Sequence, residues 1–346
     1  MKKKMFVPAC ALVFGMAMLA GCSKAKEAEL SITSRVVGDA DFQVLEDAAI
    51  RGDVAGTLAG ANPNIGSQGK YTVFAPTNAA FARLGLKSAA DLAALRQPFL
   101  RNTLLYHVFS GPLPGSALTP GSTSSGAFAT EEIAATSTTP RVPSVTPTRK
   151  IIRRADGSLY VNGSKILGTD ITAINGLIHP IDKVLLATGA NIVASAQALE
   201  AGSVFVAPEL TFLVEAVKYA ELVTTLSSPG PFTVFAPTDQ AFRDLGVKLG
   251  VPLSQPIDIR KLPKATVVAV LLNHALGGAQ GGRFTSELPA GTTTASAGGA
   301  PVVLGAFTNG VLTAKGAGNT TPANMVIPDV QCTNGVVHVI DQVLLP

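Results

Sequence analysis

The chain has 346 residues, of which 14% are charged and 5% aromatic, with no tryptophan and three cysteines. Lys2, Lys3 and Lys4 account for three of its 27 basic residues; without them 24 face 23 acidic ones, so a formal charge of +4 falls to about +1. No basic run is interleaved with aromatic side chains, which excludes nucleic acid as an expected partner. So few cysteines exclude a disulfide-stapled scaffold.

The first 21 residues read as a targeting segment. A lysine run is followed by an apolar stretch over residues 5–18, too short to span a bilayer as a helix, and then by Leu19-Ala20-Gly21-Cys22. This tetrapeptide resembles a bacterial lipobox, in which Cys22 is acylated and becomes the mature N-terminus. Residues 22–34 open with the polar SKAKEAE and form the expected tether to a membrane. With Cys10 in the targeting segment and Cys22 the lipid site, Cys332 is left as a small buried filler.

From residue 35 the pattern is globular. Phe42, Leu45, Ala48 and Ala49 fall at helical spacing, with Asp41 as a cap. Arg51-Gly52-Asp53 lies in that helix and reads as a chance tripeptide. At residues 72–81, TVFAPTNAAF predicts a buried strand ended by Pro76 and a helix capped by Thr77. A helical stretch over residues 89–108 is interrupted by Pro98. Residues 111–148 are rich in Pro, Gly, Ser and Thr and predict a long surface loop. Strand-like runs follow at 150–153 and 159–161, with turns at Asp156-Gly157 and Asn162-Gly163. Arg149, Lys150, Arg153 and Arg154 read as the solvated face of a strand.

The pattern then repeats. TVFAPTDQAF occupies residues 233–242, 161 residues after its first copy. LLYHV at 104–108 is answered by LLNHA at 271–275, and NGLIHPIDKVLL at 175–186 by NGVVHVIDQVLLP at 334–346. Three motifs in one order, each present twice, describe two tandem domains. The expected boundaries are 35–187 and 192–346, with residues 188–191 as a linker short enough to keep the domains in contact.

The three motifs together resemble those of fasciclin domains. The resemblance implies an α+β fold, twice: a β-sandwich-like wedge of about seven strands with packed helices. It implies adhesion or contact with matrix or envelope, through an unidentified glycan or protein. The family's Tyr-His pair, here Tyr106 and His107, has been linked to structure and to adhesion. The second copy departs from it with Asn273-His274, so its core must be filled differently. Asp170-Ile171 lies where an Asp-Ile of animal members has been tied to integrin binding. That role transfers poorly to a bacterial-looking lipoprotein, and a local turn or cap is the simpler expectation for Asp170. Tyr106, His107, Asp170 and Ile171 are the candidate ligand-binding residues.

All four histidines, His107, His179, His274 and His338, sit in the repeated motifs. Zinc would require clustered ligands, which the spacing does not offer. His179 and Asp182 stand three apart in a predicted strand and so point to opposite faces, as do His338 and Asp341. No nucleophile elbow, P-loop or dinucleotide fingerprint is present in the sequence. The histidines are therefore expected to tie loops to backbone, with no catalytic residue, metal or cofactor. The expected protein is a lipid-anchored envelope protein, on the periplasmic face or the outer surface, carrying two binding modules. An envelope hydrolase using the histidines and a structural spacer are the alternatives.

Overall fold

The computed structural model describes residues 30–61, 69–123, 149–207 and 209–346. Cys22 and residues 124–148 of the expected loop lie outside the described residues. The first copy contains α1 (Ile32–Val37), α2 (Gln43–Arg51), β1 (Tyr71–Pro76), α3 (Asn78–Ala82), α4 (Gln97–Tyr106), β2 (Val108–Ser110), β3 (Gly121–Thr123), β4 (Arg149–Arg153), β5 (Leu159–Val161), β6 (Ser164–Lys165), β7 (Ile171–Ala173) and β8 (Gly176–Ile181), followed by β9 (Leu186–Ala187). One sheet runs β2-β1-β8-β7 and a second β3-β4-β5-β6. The second copy contains α5 (Ile192–Glu200), α6 (Thr211–Tyr219), α7 (Val223–Ser227), β10 (Phe232–Pro237), α8 (Asp239–Leu249), α9 (Lys264–Asn273), β11 (Ala275–Leu276), β12 (Thr293–Ala295), β13 (Pro301–Leu304), β14 (Thr313–Gly316), β15 (Ala323–Cys332) and β16 (Gly335–Ile340). Its strands run β11-β10-β16-β15-β14-β13-β12. Both copies are α+β, as the motifs imply.

The repeated TVFAP stretch is the centre of each domain. β1 pairs with β8 in parallel and β2 in antiparallel, and all six of its residues are buried. Successive strand residues face opposite layers, so a strand covered on both sides reads as an unbroken apolar run. Tyr71, Val73 and Ala75 enter the core beneath the helices, whereas Phe74 enters the core between the sheets. β10 repeats this with Val234 and Ala236 on the helical side and Phe235 on the other.

The expected caps form: the side chains of Thr77 and Thr238 accept from the N–H groups of Ala80 and Ala241. The next residue does more than suit a helix's first turn. Asn78 accepts from Val44 N–H and donates to the Ala40 carbonyl, and Asp239 accepts from Phe212 N–H and the Thr211 hydroxyl. Each locks the start of another helix onto the central motif.

Three local expectations change. Residues 32–34 belong to α1, capped by Ser31 and with Ile32 in the core, so the tether ends before residue 34. Asp39, not Asp41, is the acid that accepts from a backbone N–H where the next helical segment starts. Residues 198–206 also pack on the first domain: Val204 lies in its core, Phe205 against it, and Leu95 bridges Phe205. The segment after the linker thus packs on both domains, with Ile192 in the second core and Val204 in the first. Arg51-Gly52-Asp53 ends α2, and Arg101 pairs with Asp53 at 3.2 Å.

Candidate functional site at the domain seam

The four histidines form two kinds of corner, each built twice. His107 ends α4, where its Nδ1 lies 2.7 Å from the Thr103 carbonyl and its Nε2 accepts from Leu185 N–H at 2.8 Å. His274 repeats this on Val270 and Leu344 at the same distances. His179 accepts from Asp170 N–H at 3.1 Å through Nδ1 and donates through Nε2 to the Leu113 carbonyl at 2.8 Å. His338 repeats it with Asp329 N–H and the Arg283 carbonyl, both at 3.1 Å.

One donor and one acceptor per ring require neutral imidazole. Burial pushes His107 and His274 down to about 4 and lowers His179 and His338 in the same direction. All eight ring nitrogens are committed to backbone groups. Asp182 takes Lys165 N–H at 2.6 Å and pairs with neither histidine. An apolar cleft in the second domain has His274 in its wall, but its only other polar lining residues are Gln197 and Lys218, and no carboxylate lines it. No described helix is long and apolar enough to cross a membrane.

The polar chemistry converges instead where the domains meet. Lys183 of the first domain is 5% exposed. Its ammonium donates to the Asp329 carboxylate at 2.6 Å, the Gly310 carbonyl at 2.7 Å and the Thr285 hydroxyl at 3.0 Å, all in the second domain. Three donors meet three acceptors, the condition under which a buried ion pair is tolerated. The other Asp329 oxygen accepts from Thr285 N–H at 2.6 Å. Beside it, Gly163 has φ +81°, and a Cβ there would lie 2.3 Å from an Asp329 oxygen. Only glycine permits both the left-handed turn and this approach. β9 completes the contact by pairing in parallel with β15, Leu186 opposite Val330 and Ala187 opposite Gln331.

Tyr106 and the basic cluster belong to the same seam. The Tyr106 hydroxyl donates to Gln331 of the second domain and accepts from Asn162. Arg149, 1% exposed, lies 4.9 Å from the centre of the Tyr106 ring and donates to the Tyr106 and Val108 carbonyls. Lys150 pairs with Glu287, and Arg154 donates to the Ser286 carbonyl and covers the Phe307 ring at 4.0 Å. The solvated strand face expected for Arg149, Lys150 and Arg154 is thus a docking face, with Arg149 turned into its own domain.

Of the candidate ligand-binding residues, Tyr106 and His107 are 2% and 1% exposed with their polar groups engaged, so neither is placed to touch an external ligand. Asp170 is exposed and Ile171 half-buried, on a separate surface. The sequence reading missed Lys183, Gln331, Thr285 and Phe307, because nothing in one chain's local pattern marks a side chain whose partner lies about 100 residues away.

The family comparison agrees with this duplicated architecture. The fasciclin domain model matches residues 41–187 and 208–346. The uncharacterized protein sll1735 of Synechocystis is 37% identical over 134 residues, 38% of this chain and 86% of that protein. Transforming growth factor-beta-induced protein ig-h3 of Sus scrofa is 28% identical over 82% of this chain, which spans 36% of it; human periostin is 28% identical over 55% of this chain and 20% of its own length. Among solved structures, a FAS1 domain pair from the insect cell adhesion molecule Fasciclin I matches 91% of this chain and 96% of its own, with a TM-score of 0.37 and 17% identity. The chain belongs to the fasciclin domain family, of which it carries two consecutive domains.

Proposed function

We propose that this is a non-catalytic binding protein, lipid-anchored through Cys22 in a bacterial cell envelope, whose paired fasciclin domains contact a protein or glycan. One observation carries the binding reading. The second domain already recognises a protein segment, accepting β9 on its sheet edge and Lys183 on Asp329. The commitment of every histidine nitrogen to backbone supports the non-catalytic part. The lysine run, apolar stretch and LAGC succession support the anchor. The surface proposed to meet the ligand is that of the first domain around residues 111–148, the longer of the two copies' loops.

The test uses the two-domain chain from residue 22, with Cys22→Ser, on glycan and protein arrays, against a variant with residues 124–148 shortened. The expected result is a captured ligand, bound more weakly by the shortened variant at an unchanged melting temperature. Turnover of an array substrate, lost on His179→Ala, favours the hydrolase instead. For the anchor, Cys22→Ser should release the full chain from membranes; retention there sinks that part alone.

A further inference from the structure

The two domains present the same sheet edge, and among the described residues only one is covered. In the second, β15 is flanked by β16 and by β9, with Thr188 N–H on the Gln331 carbonyl at 3.0 Å and Thr333 N–H on the Ala190 carbonyl at 2.8 Å. In the first, among the described residues, β7 is the outermost strand of its sheet and pairs only with β8. The last bond of the series survives there, as Ile174 N–H donates to the Leu30 carbonyl at 3.0 Å. The next register point is also shared. Ile32 N–H donates to Asn175 and Ile192 N–H to Asn334, both at 2.9 Å, and Ser31 and Asn191 cap α1 and α5. The chain thus arrives at both edges along the same path, offset by the 160 residues from Ile32 to Ile192.

The acid beside the edge is duplicated too. Asp170 and Asp329 have φ of +63° and +65°, and each gives its N–H to a histidine Nδ1 at 3.1 Å. The Asp329 carboxylate accepts from Thr285 N–H, and that of Asp170 from Gly115 N–H at 2.9 Å. Gly115 lacks the hydroxyl that Thr285 offers Lys183, but a Cβ at Gly115 would lie 2.6 Å from Thr169 Oγ1 and 2.7 Å from Asp170 Oδ2. Thr169 therefore fills the space that a threonine at 115 would take, and the corner keeps a carboxylate and a hydroxyl side by side. Asp170 is exposed.

We propose that the open edge of β7 is covered by the chain's own residues 22–29, with the Lys24 ammonium on Asp170. Those residues lie outside the described ones; the argument is the 160-residue offset and charge complementarity. Counting back from Ile32, Lys26 takes the place of Leu186, Ala28 that of Thr188, and Ser23 that of Lys183, with Lys24 one residue further on. A lysine's four-carbon stem covers a one-residue difference. An edge strand that presents unpaired backbone groups is a template for such an addition. If Cys22 carries the acyl group, the Asp170 face is held against the membrane. That consequence rests on the anchor proposed above; the docking does not.

The experiment is amide hydrogen exchange on the two-domain chain from residue 22, with Cys22→Ser. The N–H groups of Lys26 and Ala28, which take the places of Leu186 and Thr188, should exchange at least about tenfold more slowly than an unprotected peptide, and that of Glu27 should not. Asp170→Asn or Lys24→Gln should lower that protection several-fold while leaving the exchange of β9 unchanged. A Lys26→Cys/Ile171→Cys pair should also cross-link on mild oxidation, since these positions correspond to Leu186 and Val330. Unprotected exchange of Lys26 and Ala28 in the parent chain overturns the proposal, as does protection that is undiminished in both single variants. Protection that grows with protein concentration assigns the edge to a second molecule and overturns it equally. None of these outcomes depends on the array or the membrane fractionation, so this proposal and the binding and anchor readings fail separately.

Discussion

Asp170 and Asp329 are the same residue in two settings. Each holds a left-handed backbone conformation, gives its N–H to a histidine and takes a loop N–H on its carboxylate. Yet the Asp329 side chain is 6% exposed and bonded to Lys183, while Asp170 faces solvent. The fold thus fixes the corner, and whatever reaches it decides its role. The second difference between the copies follows the same logic. Tyr106 sends its hydroxyl across the seam to Gln331. Asn273, at the matching place, is fully buried and donates to the Leu344 carbonyl within its own domain. A hydroxyl reaching outward is useful only where another domain lies beyond it.

The largest break in this comparison comes from Lys183→Met. Removing one partner of a buried pair leaves Asp329 as an uncompensated charge, at a cost of about 3–5 kcal/mol. Urea unfolding should show the second domain's transition at clearly lower denaturant. Lys183→Met combined with Asp329→Asn should recover part of the loss, because Asn keeps the bond from Thr285 N–H without the charge. Asp170→Asn, at the exposed corner, should shift the midpoint by less than about 1 kcal/mol. Equal effects at the two acids would dissolve the distinction.

Acid should act on both domains alike, because His107 and His274 form the same corner. Their folded pKa of about 4 lies below the unfolded value near 6.5. The unfolded chain therefore binds protons first. Stability from these two groups is complete above pH 6.5, falls between pH 6.5 and 4, and changes no further below 4. The span is roughly 3 kcal/mol per histidine. Unfolding midpoints at pH 7.5, 5.5 and 4.5 should fall together for the two domains. A midpoint that rises on acidification from 7.5 to 5.5 contradicts the neutral-ring assignment.

Much of each domain was legible in the sequence because it is local. The capped helix after TVFAPT, the hairpin turns at Asn162-Gly163 and the buried central strand follow from patterns within ten residues. The structural reading of the histidines also held, although their partners could not be named: Leu185 is 78 residues from His107 in the chain. The seam was illegible for the same reason. Lys183, Lys150 and Arg154 look like ordinary surface charges, and their partners lie in the second domain. The sequence difference at Tyr106 and Asn273 was visible, but its cause lay in which copy has a domain docked beyond it.

The smallest and sharpest test is the Tyr106 hydroxyl itself. Tyr106→Phe keeps the ring that Arg149 covers and removes only the oxygen between Asn162 and Gln331. Gln331 Oε1 keeps Asn162 Nδ2 at 3.1 Å, but the second Asn162 N–H loses the acceptor that the hydroxyl supplied. The cost should therefore be that of a buried hydrogen bond with one donor left unpaired, about 1–3 kcal/mol. The part of that cost paid across the seam should disappear when Gln331 is already Ala, leaving the loss of the Asn162 bond. A double-mutant cycle between Tyr106→Phe and Gln331→Ala then yields a coupling of about 1 kcal/mol. A coupling of zero would confine Tyr106 to its own domain, and its replacement by Asn in the second copy would lose the explanation given above.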